Sequence, residues 1–185
     1  MPVWKDDRQK QHVFEEVALP HMAGLYYAAL RLTGQAADAE DLLQETFTRS
    51  YAAFERFQPN TNARAWLYRI MNNTVLTPVN RAEARRTRVF SAVAPADLAA
   101  IPDTGSPDPA DVLADATLDA RLSMALRDLP ADFRSAVVTV DVGGFSYEDA
   151  AAILGCPIGT VRSRLYRGRS LLRAALDGNA EGPHV

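Results

Sequence analysis

Ile158 to Leu176 reads IGTVRSRLYRGRSLLRAAL. Wound at about 100° per residue, this run places Val161, Leu165, Gly168, Leu172 and Ala175 on one side of a helix. Ser163, Tyr166, Arg167 and Ser170 fall opposite, Arg162 and Arg173 lie at one flank, and no Asp or Glu interrupts the run. The spacing predicts a helix with one packing face and one face suited to nucleic acid.

The residues before it sharpen that expectation. Ser146-Tyr147-Glu148-Asp149 has the form of a capping box, with Ser146 as N-cap and Asp149 three positions on. A short helix from Tyr147 to Leu154 then ends at Gly155, and Cys156-Pro157-Ile158-Gly159 turns the chain before Thr160 opens the basic helix. Helix, tight glycine turn, basic helix is the helix-turn-helix arrangement. The plainer reading is a helical hairpin whose arginines are solvated surface; the cap, the turn and the acid-free face together favour DNA binding.

Composition bounds the rest. The chain has 185 residues, 48% hydrophobic and 23% charged, which is globular and not disordered. No apolar run approaches the roughly 18 residues of a membrane span, and Met1 to Lys10 is polar, so no membrane insertion and a cytoplasmic location are expected. A net charge of −3 argues against a nonspecific DNA coat. The charge is segregated instead. Arg81, Arg85, Arg86 and Arg88 form one basic block and the last helix another, with Asp97, Asp103, Asp108, Asp111 and Asp115 between them. Cys156 is the sole cysteine, and His12, His21 and His184 have no ligand spacing, so neither an internal disulfide nor a metal or other cofactor is expected. Cys156 reads as a small buried turn residue.

Taken in order, Val13 to Thr33 carries helical apolar spacing through Phe14, Val17, Leu25, Ala28, Ala29 and Leu32, broken near Pro20 and ended by Gly34. Asp38 to Phe54, DAEDLLQETFTRSYAAF, is the strongest amphipathic segment. Its predicted buried stripe is Leu43, Phe47, Tyr51 and Phe54, with Asp41, Gln44, Glu45 and Thr48 on the polar side. Ala63 to Met71 resumes as a helix burying Trp66, Leu67 and Ile70; Asn72, Asn73 and Thr74 follow, and Pro78 makes continuation without a kink difficult. Trp66 and Tyr68 suit either base stacking on a single strand or a core. The Pro- and Asp-rich stretch after Arg88 reads as a linker. Helices are expected again from Leu118 to Leu129 and from Ala131 to Val142, with Phe133, Val137 and Val140 inward. The expected fold is all-α: two small helical domains, 10–90 and 117–177, joined by a flexible acidic linker at 91–116 and followed by a tail at 178–185.

DAEDLLQETF, the following AWLYRIMNNT, the Arg-rich block, the Pro-rich acidic linker and CPIGTVRSRLYRGRSLL, in that order, resemble a bacterial extracytoplasmic-function (ECF, group IV) sigma factor. The likeness runs from about Phe14 to Leu176. It implies two helical domains that bind core RNA polymerase and recognise the −10 and −35 promoter elements. By resemblance, Asp41, Gln44 and Glu45 match the helix that docks on the clamp coiled coil of the largest subunit, and the flap region is a second contact. Arg162, Ser163, Tyr166 and Arg167 match the part of the recognition helix that enters the major groove of double-stranded −35 DNA. An arginine forked onto guanine contributes about 1–3 kcal/mol of discrimination there. Arg164 and Arg169 are expected to touch the DNA backbone or solvent.

Asn73 and Thr74 match the position before the loop that traps a flipped base of single-stranded −10 DNA, and Arg85 and Arg86 the adjoining basic pair. Thr77-Pro78-Val79-Asn80 departs from the family pattern at this point. The resemblance further implies an anti-sigma partner. Three other roles compete. A conventional helix-turn-helix regulator leaves the DAEDLLQETF helix and the linker unexplained. A pure interaction protein would, for example, sequester another regulator. An enzyme finds only Asp38, Glu40, Asp41 and Glu45, carboxylates without a base, nucleophile, metal set or phosphate loop, so no catalytic residue is expected.

Overall fold

The computed structural model describes residues 6–58, 62–83 and 116–178, with side chains through 75 and from 120 to 177 in the latter two stretches. The linker at 91–116 falls outside these, apart from its last residue, as do Arg85 and Arg86.

Every regular element among the described residues is helical. Helix α1, Asp7–Ala18, begins where Asp6 accepts a hydrogen bond from the Gln9 amide at 2.8 Å. A single tight turn at Leu19–His21 carries Pro20 and leads into α2, Met22–Thr33. Gly34, at φ +80°, ends α2 in the left-handed conformation that glycine adopts without strain. Helix α3 spans Ala36–Ala53 and α4 spans Ala63–Glu83, the latter started by Asn62, whose Oδ1 accepts from the Ala65 amide.

Two expectations change here. Helix α4 runs through Pro78, so the lost amide there does not end it. The stripe that α3 buries most deeply is Ala39, Leu42, Thr46 and Ser50, not Leu43, Phe47 and Tyr51, which are half-buried. The reason is that α3 lies between α2 and α4 and packs on both. Close helix approach on two sides selects small residues, and Thr46 and Ser50 satisfy their hydroxyls by donating to the carbonyls of Leu42 and Thr46, each at 2.7 Å. The larger side chains flank that stripe and meet Phe14, whose ring stands edge-on to Phe47, Tyr51 and Phe54.

The second domain begins with α5, Ala116–Asp128, and α6, Ala131–Val137. Val138–Val142 continues α6 as a π-helical turn, closed by the Gly143 amide on the Val138 carbonyl at 2.8 Å. One extra residue in that turn rotates the side chains after it, so an uninterrupted 3.6-residue period misplaces them. Val137 is buried in the second domain, Phe133 and Val140 are half-buried, and Val138 faces the first domain. Helices α7, Tyr147–Leu154, and α8, Ile158–Gly178, complete the chain.

The two domains pack against each other. Val138, Phe145 and Ile153 belong to the same buried cluster as Leu25, Leu67 and Met71 of the first domain. A second cluster, Leu126, Leu129, Val137, Val161, Leu165 and Leu172 among its members, is the second domain's own core.

Candidate nucleic-acid and polymerase interfaces

The helix-turn-helix is built as its residue types dictate. Ser146 Oγ accepts from the Asp149 amide at 3.1 Å, capping α7, and Gly155 ends it at φ +63°. Pro157 precedes the first residue of α8, and its carbonyl accepts from the amides of Thr160 and Val161. Val161 and Leu165 are fully buried, and Gly168 sits so close to α6 that an added Cβ would lie 2.9 Å from Val137 Cγ2. Arg162, Ser163, Tyr166 and Arg167 all lie on the opposite side of the helix, with Tyr166 at 79% the most exposed large apolar side chain described. Ser163 donates its hydroxyl to the Thr160 carbonyl at 2.9 Å, which leaves its lone pairs outward.

Arg164 and Arg169 do not stand free for DNA. Arg164 Nη2 donates to Asp132 Oδ2 at 2.6 Å and is half-buried. Arg169 forks onto Asp141, Nη2 to Oδ1 at 2.5 Å and Nε to Oδ2 at 3.0 Å, and Nη1 reaches the Tyr147 hydroxyl at 3.4 Å. The hydrogen bonds from Asp141 and then Tyr147 push its guanidinium pKa further up. Acids 32 and 28 positions earlier in the chain therefore tie the recognition helix to α6 and to the π-turn. Sequence reading missed Asp132 and Asp141, because separations of that length carry no periodic signal. Cys156 lies half-buried in the turn, 3.7 Å from Arg164 Nη1; burial raises its thiol pKa, against the opposing pull of Arg164.

On the first domain, Asp41, Gln44 and Glu45 share an exposed face of α3. Glu45 pairs with Arg49 one turn on at 2.6 Å, and the Gln44 carbonyl accepts from the Thr48 hydroxyl. Asn73 and Thr74 are adjacent on α4, Asn73 exposed and Thr74 half-buried with its hydroxyl on the Ile70 carbonyl. Tyr68 and Leu67 are core, Trp66 leans on Phe54 and Phe57, and Ile70 is half-buried. Burial raises the Tyr68 pKa, with Arg64 pulling the other way. Asn72 is buried between its own helix and the second domain.

No helix among the described residues is long and apolar enough to cross a membrane.

Comparison with known proteins agrees with this geometry. Residues 19–86 match the family model of sigma-70 region 2, and residues 119–172 that of sigma-70 region 4. The chain is 41% identical over 167 residues to the ECF RNA polymerase sigma factor SigE of Mycolicibacterium smegmatis, covering 90% of this chain and 63% of that relative. It is also 41% identical, over 149 residues, to the ECF RNA polymerase sigma factor EcfG of Rhodopseudomonas palustris, covering 80% of this chain and 76% of the relative. The solved structure of the sigma factor RpoE in complex with the anti-sigma factor NepR, from Bartonella quintana, superimposes with a TM-score of 0.61 at 32% identity, covering 89% of this chain and 97% of that one. Two matched sigma regions, the helix-turn-helix between α7 and α8, and relatives matched over most of their length place the chain in one family: it belongs to the ECF RNA polymerase sigma factors.

Proposed function

We propose that this chain binds core RNA polymerase, recognises the −35 and −10 promoter elements and promotes melting for transcription initiation, acting in the cytoplasm and without catalytic chemistry of its own. The observation that carries the reading is the division of α8. Its inner side is core, and its outer side presents Arg162, Ser163, Tyr166 and Arg167 together, turned away from the core, with no acid in the run from Ile158 to Leu176. That face supplies the forked donors that read guanine edges in the major groove of the −35 duplex.

Residues 10–90 act as the core- and −10-binding domain, 91–116 as the linker and 117–177 as the −35 domain. Asp41, Gln44 and Glu45 dock on the basic clamp helices of the largest polymerase subunit, and the second domain meets the flap region. Asn73 and Thr74, with Arg85 and Arg86, engage the single-stranded −10 element; capture of a flipped base offsets lost stacking of a few kcal/mol. An anti-sigma factor, the kind of protein bound to RpoE in the Bartonella quintana complex, is a further expected partner.

Run-off transcription by core polymerase on a pool of promoter fragments from the source genome, with and without this chain, tests the reading. Selective transcripts are expected, lost separately in Arg167→Ala and in Glu45→Ala. Tight duplex binding without polymerase, and no transcripts, would replace it with a conventional helix-turn-helix regulator.

A further inference from the structure

Two ion pairs grip α8 from opposite flanks. At about 100° per residue, Arg164 and Arg169 stand about 70° to either side of the buried stripe Val161, Leu165, Gly168 and Leu172. Each meets a carboxylate of the α6 segment and one group from α7 or the turn after it. Arg164 Nη2 donates to Asp132 Oδ2 at 2.6 Å, and its Nη1 lies 3.7 Å from Cys156 Sγ. Arg169 forks onto both oxygens of Asp141, at 2.5 and 3.0 Å, and reaches the Tyr147 hydroxyl at 3.4 Å. Between the pairs, Gly168 meets Val137 and Phe133 with no side chain of its own.

The π-turn makes the double grip possible. Uninterrupted α-helix would leave Asp141 about 180° around from Asp132, facing away from α8. The extra residue in Val138–Val142 takes back up to about 100°, and both acids reach α8.

We propose that Asp132 and Asp141 are positioning residues that set the roll of α8 about its own axis, and thereby the base edges that its outer face reads. The inference rests on the promoter-reading function above. Burial of an apolar stripe is nondirectional, so a stripe with glycine near its middle resists separation more than rotation. A guanidinium on a carboxylate is directional, and two such pairs on opposite flanks oppose roll in either sense. Arg167 lies about 60° beyond Arg164, and Arg162 about 20° beyond Arg169. Each arginine proposed to read bases therefore stands next to a held one. The side-chain surface of a helix lies about 5–6 Å from its axis, so a roll of about 20° shifts that surface by about 2 Å. A forked contact to guanine tolerates much less, because N–H···O bonds span only about 2.7–3.2 Å. Roll is thus a specificity variable, and the two acids act on it without touching DNA.

The test uses the full chain and two charge-neutral double variants, Asp132→Asn with Arg164→Gln and Asp141→Asn with Arg169→Gln. Arg169→Lys is added because it keeps the charge and loses the fork. All four side chains are partly exposed, so the variants are expected to fold. Selection from duplexes randomised over one helical turn reads specificity. Amide residual dipolar couplings read the roll of α8 against α6 in the free chain. Each double variant is expected to roll α8 by about 10–20° and to cut enrichment of the parent's guanine-containing sequence by about fivefold or more, the loss of one forked contact. Arg169→Lys is expected to fall between the parent and its double variant. The slope of log K against log salt on that duplex stays at the parent's value, since neither held arginine touches phosphate.

Unchanged roll overturns the proposal, and so does altered roll with unchanged enrichment. A slope shallower by about 0.9 puts the lost arginine on a phosphate and also overturns it. Should the Asp141 double variant lose its helical circular dichroism, Arg169→Lys decides for that pair. A parent that enriches no sequence condemns the promoter-reading function; the roll, which needs no DNA, still decides whether Asp132 and Asp141 orient α8.

Discussion

Arg169 of the recognition helix is held by both carboxylate oxygens of Asp141, at 2.5 and 3.0 Å. Seven residues separate Arg169 from Arg162, so at about 100° per residue the two lie within about 20° of one face of α8. An arginine on the side proposed to face DNA is thus already neutralised from within, and the net positive charge of that face is smaller than its sequence suggests.

Replacing Asp141 with Asn releases Arg169. The pair is partly exposed, so the stability lost is about 0.5–1 kcal/mol. The larger effect is on DNA: the freed guanidinium gains a phosphate, and the slope of log K against log salt for a −35 duplex steepens by about 0.9. Specific and nonspecific duplexes gain alike, so discrimination between them narrows. Anisotropy titrations at several salt concentrations measure both quantities, and an unchanged slope rejects the masking role of Asp141.

Arg167→Ala and Glu45→Ala separate surface function from stability. Both side chains are exposed, and the Glu45 pair with Arg49 is an ordinary helical one contributing about 0.3–0.5 kcal/mol. Thermal unfolding of either variant should stay within about 0.5 kcal/mol of the parent. Arg167→Ala should cost about 1–3 kcal/mol of −35 binding with core binding intact; Glu45→Ala should do the reverse, as followed by polymerase pull-down.

Gly168→Ala sets two known effects against each other. Alanine gains about 0.8–1 kcal/mol of helix propensity over glycine. Its Cβ, however, would stand 2.9 Å from Val137 Cγ2 and 3.4 Å from the Phe133 carbonyl oxygen. Val137 is β-branched and stiff, and overpacking costs about 1–3 kcal/mol, so a net loss of about 1 kcal/mol is expected. Urea denaturation reads it; a more stable variant would mean that α6 and α8 can move apart at little cost.

Cys156 should behave as a hindered thiol. Burial raises its pKa above the ordinary 9.0, so the folded state keeps the proton longer than the unfolded one. Its contribution to stability is complete below the unfolded pKa and is lost as pH rises through the folded one. Alkylation at pH 8 is expected to run slower in the native chain than in denaturant, and equal rates would contradict the raised value.

How much was legible beforehand depends on the range over which each interaction acts. The Ser146 cap, the Gly155 turn and the two faces of α8 depend on neighbours within one or two helical turns, so residue type and 3.6-residue spacing suffice to place them. The exposed trio Asp41, Gln44 and Glu45 was visible for the same reason. The buried face of α3 was shifted toward Thr46 and Ser50 because two helices crowd it, and the π-turn at Val138–Val142 broke the period that would have oriented Val138.

By itself, then, the sequence determined the helices, the helix-turn-helix and the side of α8 that faces outward, since all of these are settled by local sterics and amphipathic spacing. Only the tertiary structure decided that Arg164 and Arg169 are held by Asp132 and Asp141, and that Arg64, Tyr68 and Asn72 turn inward onto a second domain. Those contacts join residues about 30 to 80 positions apart, where no periodicity reaches and where only packing, charge neutralisation and desolvation choose the partner.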